Sequence, residues 1–310
     1  MALTPQAGAA PLREGEGKRA LITGLTGFTG GYLARELRQA GYQVLGSATK
    51  KSDAAPGTVN VDLTDRDAVE QMIDQAQPDV VAHLAAIAYV AHADAEQFYR
   101  VNIVGTRNLL EALAGRRHTP SAVLLASSAN VYGNACGGVI DERVAPAPAN
   151  EYAVSKLAME HMARLWSEKL PIEIARPFNY SGVGQGEHFL LPKIVSHFRS
   201  GARVIELGNL AVARDFSDVR NVALTYRRLL AACSAGETFN VCSGQAHTLA
   251  SVIETMSAIA GYEIEVRVNP AYVRANDVLV LVGCNAKLRD AIGSIEPIAL
   301  ADTLRWMYEA

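Results

Sequence analysis

The segment from Lys18 to Gly41 constrains the fold more than any other. Lys18-Arg19-Ala20-Leu21-Ile22-Thr23 reads as a short buried strand. Gly24-Leu25-Thr26-Gly27-Phe28-Thr29-Gly30 follows, and then a helix-like run over 32–39 closed by Gly41. Strand, glycine turn and helix in that order form the context in which a dinucleotide phosphate is held. Gly24 permits the tight turn, Gly27 lets a pyrophosphate approach the backbone, and Gly30 lets helix pack on strand. The helix N-terminus faces the anion. The spacing, G-x-x-G-x-x-G, is one residue longer than the usual fingerprint, and the plainer alternative is an ordinary glycine turn.

The rest of the chain repeats the alternation. Strands are expected at 19–23, 43–47, 58–61, 80–84, 122–127 and 172–175, and helices at 30–40, 65–75, 95–113 and 152–169. Alternating strand and helix imply an α/β protein with a doubly wound, Rossmann-type parallel sheet. Past Asn179 the pattern loosens into a glycine-rich loop at 182–186, helices at 189–200, 219–231, 249–260 and 299–308, and strands at 204–207 and 238–241.

Two features point to chemistry. Tyr152 and Lys156 are four apart in Glu151-Tyr152-Ala153-Val154-Ser155-Lys156 and share one helix face. An ammonium beside a phenol favours the phenolate and makes the phenol a better proton donor. The apolar run Leu124-Leu125-Ala126 ends in Ser127-Ser128, at the strand terminus where ligands gather in such sheets.

Bulk properties exclude several classes. A net charge of −3 without a basic stripe argues against nucleic acid. No apolar run reaches the ~18 residues of a membrane span. Cys136, Cys233, Cys242 and Cys284 form no C-x-x-C pair, which suits a reducing cytoplasm and gives no metal site. Residues 1–17, rich in Ala, Gly and Pro, lack a signal-like apolar core and read as a mobile tail.

Taken together, Gly24-x-x-Gly27-x-x-Gly30, Asp62-Leu63, His83-Leu84-Ala85-Ala86, Asn102-Ile103-Val104-Gly105-Thr106, Ser127-Ser128-x-x-Val131-Tyr132-Gly133 and Tyr152-x-x-x-Lys156 resemble an extended short-chain dehydrogenase/reductase. Arg176-Pro177-Phe178-Asn179 and Arg214-Asp215-Phe216-Ser217-Asp218-Val219 resemble its nucleotide-sugar branch. Phe239-Asn240-Val241-Cys242-Ser243-Gly244 is similar to the GDP-4-keto-6-deoxy-D-mannose reductases.

The resemblance implies a dinucleotide-binding domain over 18–178, with a return segment near 214–241. Residues 179–310 would form most of a smaller α/β substrate lobe. Tyr152 becomes the proton donor to a substrate ketone. Lys156 holds the nicotinamide ribose and lowers the phenol pKa, and Ser128 bonds the ketone oxygen. The implied cofactor contacts are Gly24, Thr26, Gly27, Phe28, Thr29, Gly30, Asp62 (to adenine), Leu63, Leu84, Ala85, Ala86, Asn102, Tyr152 and Lys156. Substrate contacts are Ser128, Asn130, Asn179, Arg214 and Arg274, the arginines offering planar forks for a diphosphate. Arg176 reads as structural and His83 as a packing residue.

Where 4,6-dehydratases of this fold place an acidic residue, the chain has Ala129 and Asn130, neither of which is an acid or base at neutral pH. The second strand ends without the carboxylate that NAD enzymes use for the ribose. Ser47, Thr49, Lys50 and Lys51 stand there instead, favouring NADPH, with NADH also accommodated. The expected activity is cytoplasmic reduction of a nucleotide-linked 4-keto-6-deoxyhexose, GDP-linked, to GDP-D-rhamnose or GDP-6-deoxy-D-talose. Alternatives are a 4-epimerase with bound NAD, or a non-catalytic dinucleotide-sensing regulator, although such regulators typically lose the Tyr/Lys pair. The family also implies a homodimer through a four-helix bundle. Val101, Val104, Leu109 and Ala112 would supply one helix, and Leu157, Met159, Met162 and Leu165 the other.

Overall fold

The computed structural model describes residues 14–49, 57–88, 94–133, 138–272 and 279–310. The first half runs β1 (Arg19–Thr23), α1 (Phe28–Gln39), β2 (Gln43–Ala48), β3 (Thr58–Asn60), α2 (Arg66–Ala76), β4 (Val80–His83), α3 (Ala95–Tyr99), a π-helical turn (Arg100–Gly105), α4 (Thr106–Ala114), β5 (Ala122–Ala126), a 3-10 turn (Ala129–Tyr132), β6 (Gly138–Ile140) and α5 (Glu151–Arg164). The second half runs β7 (Ile172–Pro177), β8 (Asn179–Ser181), α6 (Leu190–Arg199), β9 (Val204–Leu207), β10 (Ala213–Asp218), α7 (Val219–Ala232), β11 (Thr238–Val241), β12 (Ala246–Thr248), α8 (Leu249–Ala260), β13 (Glu265–Val268), β14 (Val280–Gly283), α9 (Ala286–Ile292) and α10 (Leu300–Glu309).

Seven of the described strands form one sheet in the order β11-β7-β5-β4-β1-β2-β3, every pair parallel. The physical reason is composition: β4 and β5 are nearly continuous apolar runs, as strands covered on both faces must be. Leu33 and Leu37 of α1 and Val222, Tyr226 and Leu229 of α7 cover one face. On the other lie Val69 and Ile73 of α2, Leu109 and Leu113 of α4, and Met159 and Ala163 of α5. The strand order reverses between β1 and β4, which opens a crevice at their carboxyl ends.

A smaller sheet is built around β10, which pairs β12 antiparallel and β14 and β8 parallel, with β6 beyond β14. Leu191, Phe198, Val252, Met256, Leu304 and Met307 fill a separate core between α6, α8 and α10. The chain returns from this region to the main sheet through α7 and β11.

Local differences from the sequence reading have identifiable causes. The expected helix over 95–113 breaks into α3, the π-helical turn and α4, and the turn carries the buried Asn102 inward. β5 ends at Ala126, and the two hydroxyls that follow bond Glu160 and cap the 3-10 turn. The end of the expected tail is docked. Gly15 N–H donates to Ala40 O at 2.9 Å, and Glu14 pairs with Arg227 at 2.5 Å. Leu109, Ala112 and Met159, expected at a dimer face, are instead within the core, because the sheet needs them for cover.

Candidate active site

The glycine turn fits an anionic dinucleotide. Gly24 has φ +75°, and a Cβ on Gly30 would stand 2.2 Å from Gly24 O, so neither position admits a side chain. Gly24 and Leu25 N–H both donate to Ser47 O at 3.0 Å, which ties the turn to the end of β2. Ser47 itself is buried at 2% exposure. Gly27 caps α1 without a side-chain bond, leaving first-turn N–H groups free of intrahelical acceptors. Ala85 comes within 3.0 Å of where a Gly24 Cβ would be, so the 84–86 loop lies directly against the turn. Asp62 is exposed, its Oδ1 accepting from Thr64 N and Oγ1 at 2.8 Å. Leu63 is buried, and its carbonyl accepts from Asn108. Lys50, Lys51 and Arg274 lie outside the described residues.

Two contacts at this turn were not legible in the sequence. Thr29 Oγ1 lies 2.9 Å from Tyr180 Oη. The Phe28 ring stacks on Tyr180 with centroids 6.1 Å apart at 11°. Tyr180 is on β8, so the glycine turn is held against the strand that pairs with β10.

Ser128, Tyr152 and Lys156 converge, and all three are buried. Ser128 Oγ caps the 3-10 turn, accepting from Asn130 N and Nδ2, both at 3.2 Å. Asn150 caps α5 by accepting from Ala153 N at 2.9 Å, so the helix starts at Glu151, one residue before Tyr152. Lys156 Nζ donates to Ala126 O at 2.7 Å, tying the ammonium to the end of β5.

The electrostatics differ from the sequence expectation. Burial pushes the Tyr152 phenol well above its ordinary value. The Ser128 hydroxyl pulls it back in part, and Tyr180 pushes it further up. The Lys156 ammonium donates to Ala126 O rather than to the phenol. Burial also brings Lys156 down to about 8, against the opposing pull of Glu160.

Beneath this group lies a buried polar network. Arg176 reaches Glu160 through Nε (2.9 Å) and Nη2 (2.6 Å), and Tyr132 Oη through Nη1 (3.0 Å). Tyr132 donates to Asn240 Oδ1 at 2.7 Å. Glu160 is one turn beyond Lys156, a spacing that could have flagged it. Asn179 Nδ2 donates to Asp215 O at 3.2 Å, and Arg214 Nη1 to Ala213 O at 3.0 Å. Asp215 is fully buried and accepts from Ser243 N, Ser243 Oγ and Gly244 N, so it shapes the loop that follows β11. Among the described residues no helix is long and apolar enough to cross a membrane, and no His/Cys/Asp/Glu group could hold a metal.

The NAD dependent epimerase/dehydratase family matches residues 20–242. A GDP-6-deoxy-D-talose 4-dehydrogenase of Aggregatibacter actinomycetemcomitans is 33% identical over 88% of this chain and 91% of its own. A GDP-6-deoxy-D-mannose reductase of Pseudomonas aeruginosa is 35% identical over 93% and 95%. Among solved structures, one from Burkholderia cenocepacia J2315 is 53% identical with a TM-score of 0.90, covering 95% of this chain and 98% of its own. RMD from Pseudomonas aeruginosa, complexed with NADPH, is 34% identical with a TM-score of 0.82, covering 94% and 98%.

Proposed function

The chain belongs to the NAD dependent epimerase/dehydratase family, and from that premise we propose that it is an NAD(P)H-dependent reductase of a GDP-linked 4-keto-6-deoxyhexose. The convergence of Ser128, Tyr152 and Lys156 at the end of β5, beside the glycine turn, carries this reading. The similarity to two GDP-6-deoxyhexose oxidoreductases supports the substrate class, and the NADPH complex of RMD supports the coenzyme.

Gly24, Gly27 and Gly30 would admit the pyrophosphate, and Asp62 would meet the adenine. Leu63, Leu84, Ala85, Ala86 and Asn102 would line the same cleft. When bound, a nicotinamide coenzyme would supply hydride to the keto carbon, and negative charge would grow on the ketone oxygen. Ser128 Oγ–H and Tyr152 Oη–H are the donors that stabilise it, and the Tyr152 proton is the one transferred. Its high affinity for that proton keeps Tyr152 in the donor form at neutral pH. Lys156 carries its charge at neutral pH, held at the end of β5 by Ala126 O. Asn179, Arg214 and Arg274 would meet the sugar-nucleotide phosphates. Ala129 and Asn130 offer no acid or base for eliminating water.

The test is incubation with GDP- and dTDP-linked 4-keto-6-deoxy sugars plus NADPH, with product identification by NMR. The expected product is GDP-D-rhamnose or GDP-6-deoxy-D-talose. No NADPH oxidation with either sugar overturns the reading, as does formation of a 4-keto-6-deoxy product from GDP-mannose.

The outer side of α5 and the π-helical turn supports a homodimer. Val104, Val154 and Leu165 are 43%, 38% and 83% exposed there. Leu165→Glu should yield monomers, whereas Met162 is half-buried against the sheet core and would confound folding with assembly. Light scattering that shows a monomeric wild type at micromolar concentration overturns this. The cytoplasm is the proposed compartment, consistent with the free thiols of Cys233, Cys242 and Cys284.

A further inference from the structure

Beneath the proposed dinucleotide cleft, side chains outside the proposed proton transfer form one hydrogen-bonded chain. Thr23 ends β1, His83 ends β4 and Thr106 opens α4. His83 is 2% exposed. Its Nδ1 lies 2.7 Å from Thr23 Oγ1 and its Nε2 lies 2.8 Å from Thr106 Oγ1.

The direction of each bond follows from the ends of the chain. Thr106 Oγ1 donates to Asn102 O at 2.7 Å, and a carbonyl can only accept. Thr106 therefore offers His83 a lone pair, so Nε2 carries the ring proton. Nδ1 is then the acceptor, and Thr23 donates to it. Thr23 Oγ1 in turn accepts from Ala85 N–H at 3.3 Å.

Asn102 extends the chain to the proton-donor helix. Its Oδ1 accepts from Ile87 N–H at 3.0 Å, and its Nδ2 donates to Ser155 Oγ at 3.0 Å. Ser155 donates to Tyr152 O at 2.8 Å. The imidazole thus bridges Thr23 at the end of β1 and Thr106 at the start of α4, and through Thr106 it reaches Asn102, which ties the loop after β4 to the helix bearing Tyr152.

We propose that His83 is a positioning residue, a neutral Nε2–H imidazole that sets the 84–87 loop and the Tyr152 helix in one geometry for coenzyme and proton donor. The consequence for coenzyme rests on reading this cleft as the dinucleotide site; the hydrogen-bond directions do not. Sequence alone makes His83 a packing residue, but a residue that only packed would be indifferent to its tautomer. Burial, with Lys156 as the charged group acting on it, holds His83 down to about 3, so the ring stays neutral. A second ring proton would face Thr23 Oγ1 and abolish the bond that Thr23 donates to Nδ1.

Two measurements test this. Nitrogen-15 NMR of the unaltered protein, labelled at histidine, should show one ring with a bare Nδ1 and a protonated Nε2, unchanged from about pH 8 to about pH 5. A protonated Nδ1, or titration of this ring within that range, overturns the proposal whether or not any variant folds. NADPH binding by fluorescence titration should weaken about five- to tenfold in Thr106→Val, the scale of one lost net hydrogen bond. It should return to the wild-type value in Thr106→Ser, which keeps the hydroxyl. Equal binding by Thr106→Val and wild type overturns the proposal. A wild type that binds neither NADPH nor NADH sinks the functional reading instead, and the tautomer still decides the positioning role.

Discussion

Glu160 holds Arg176 in a two-pronged grip, with Nε to Oε1 at 2.9 Å and Nη2 to Oε2 at 2.6 Å, and both side chains are sealed from solvent. The same carboxylate accepts the Ser127 hydroxyl. One buried charge pair therefore fixes helix α5, the end of β5 and strand β7 against one another. Removing one partner leaves the other charged, buried and unpaired, at a cost of about 3–5 kcal/mol. Glu160→Gln should lower the urea midpoint sharply. Glu160→Gln combined with Arg176→Met should recover part of the loss. Additive destabilisation in this double variant would show that the pair is not coupled.

Tyr152→Phe should fold, bind NADPH and lose at least about a hundredfold in turnover, the usual scale of a missing general acid. The variant keeps the ring that packs against Phe98, with centroids 6.0 Å apart, so stability should change little. Turnover near wild type would remove Tyr152 from the reaction.

Lys156 supplies a pH dependence with a definite sign. Its folded-state value lies at about 8, below the ordinary 10.5, because burial disfavours the ammonium. The charge is present below about pH 8 and lost above it. In the free enzyme, kcat/KM should therefore hold steady at neutral pH and fall through that point. Tyr152 is not the source of this limb, since its phenol titrates far higher. Lys156→Arg should move the limb upward, because a guanidinium keeps its proton. A limb that stays in place in Lys156→Arg assigns it to another group.

Glu173 should make the protein less stable as pH rises. It is 1% exposed on β7, and neither carboxylate oxygen has a hydrogen-bond partner. Burial raises it from 4.5 to about 8; the Ser234 backbone opposes this weakly, outside normal hydrogen-bond geometry. Between those values the folded chain keeps a proton that the unfolded chain has released. Stability then falls across that window. Glu173→Gln should raise Tm more at pH 8 than at pH 5. An equal change at both would mean that Glu173 is not buried as an acid.

The elements most legible in the sequence were those whose signal is local. Gly24, Gly27 and Gly30 sit within seven residues, and the turn they form needs no distant partner to be recognised. The buried runs of β4 and β5 announce a parallel sheet for the same reason. Less legible was the face of each helix. Leu109 and Met159 look like surplus apolar surface on a helical wheel, and only the width of the covered sheet shows that both are needed inside.

What the sequence by itself determined is the turn, the alternation and the four-residue Tyr152–Lys156 spacing, because backbone sterics and helical periodicity act over a few residues. What only the tertiary structure decided is how the polar side chains meet. His83 finds Thr106 across 23 residues, Ser127 finds Glu160 across 33, and Tyr132 finds Asn240 across 108. A buried donor or acceptor must be paired at a cost of about 1–3 kcal/mol if it is not. That requirement applies only once the chain has folded and water has been excluded, so the partners follow from the packing of distant strands and helices.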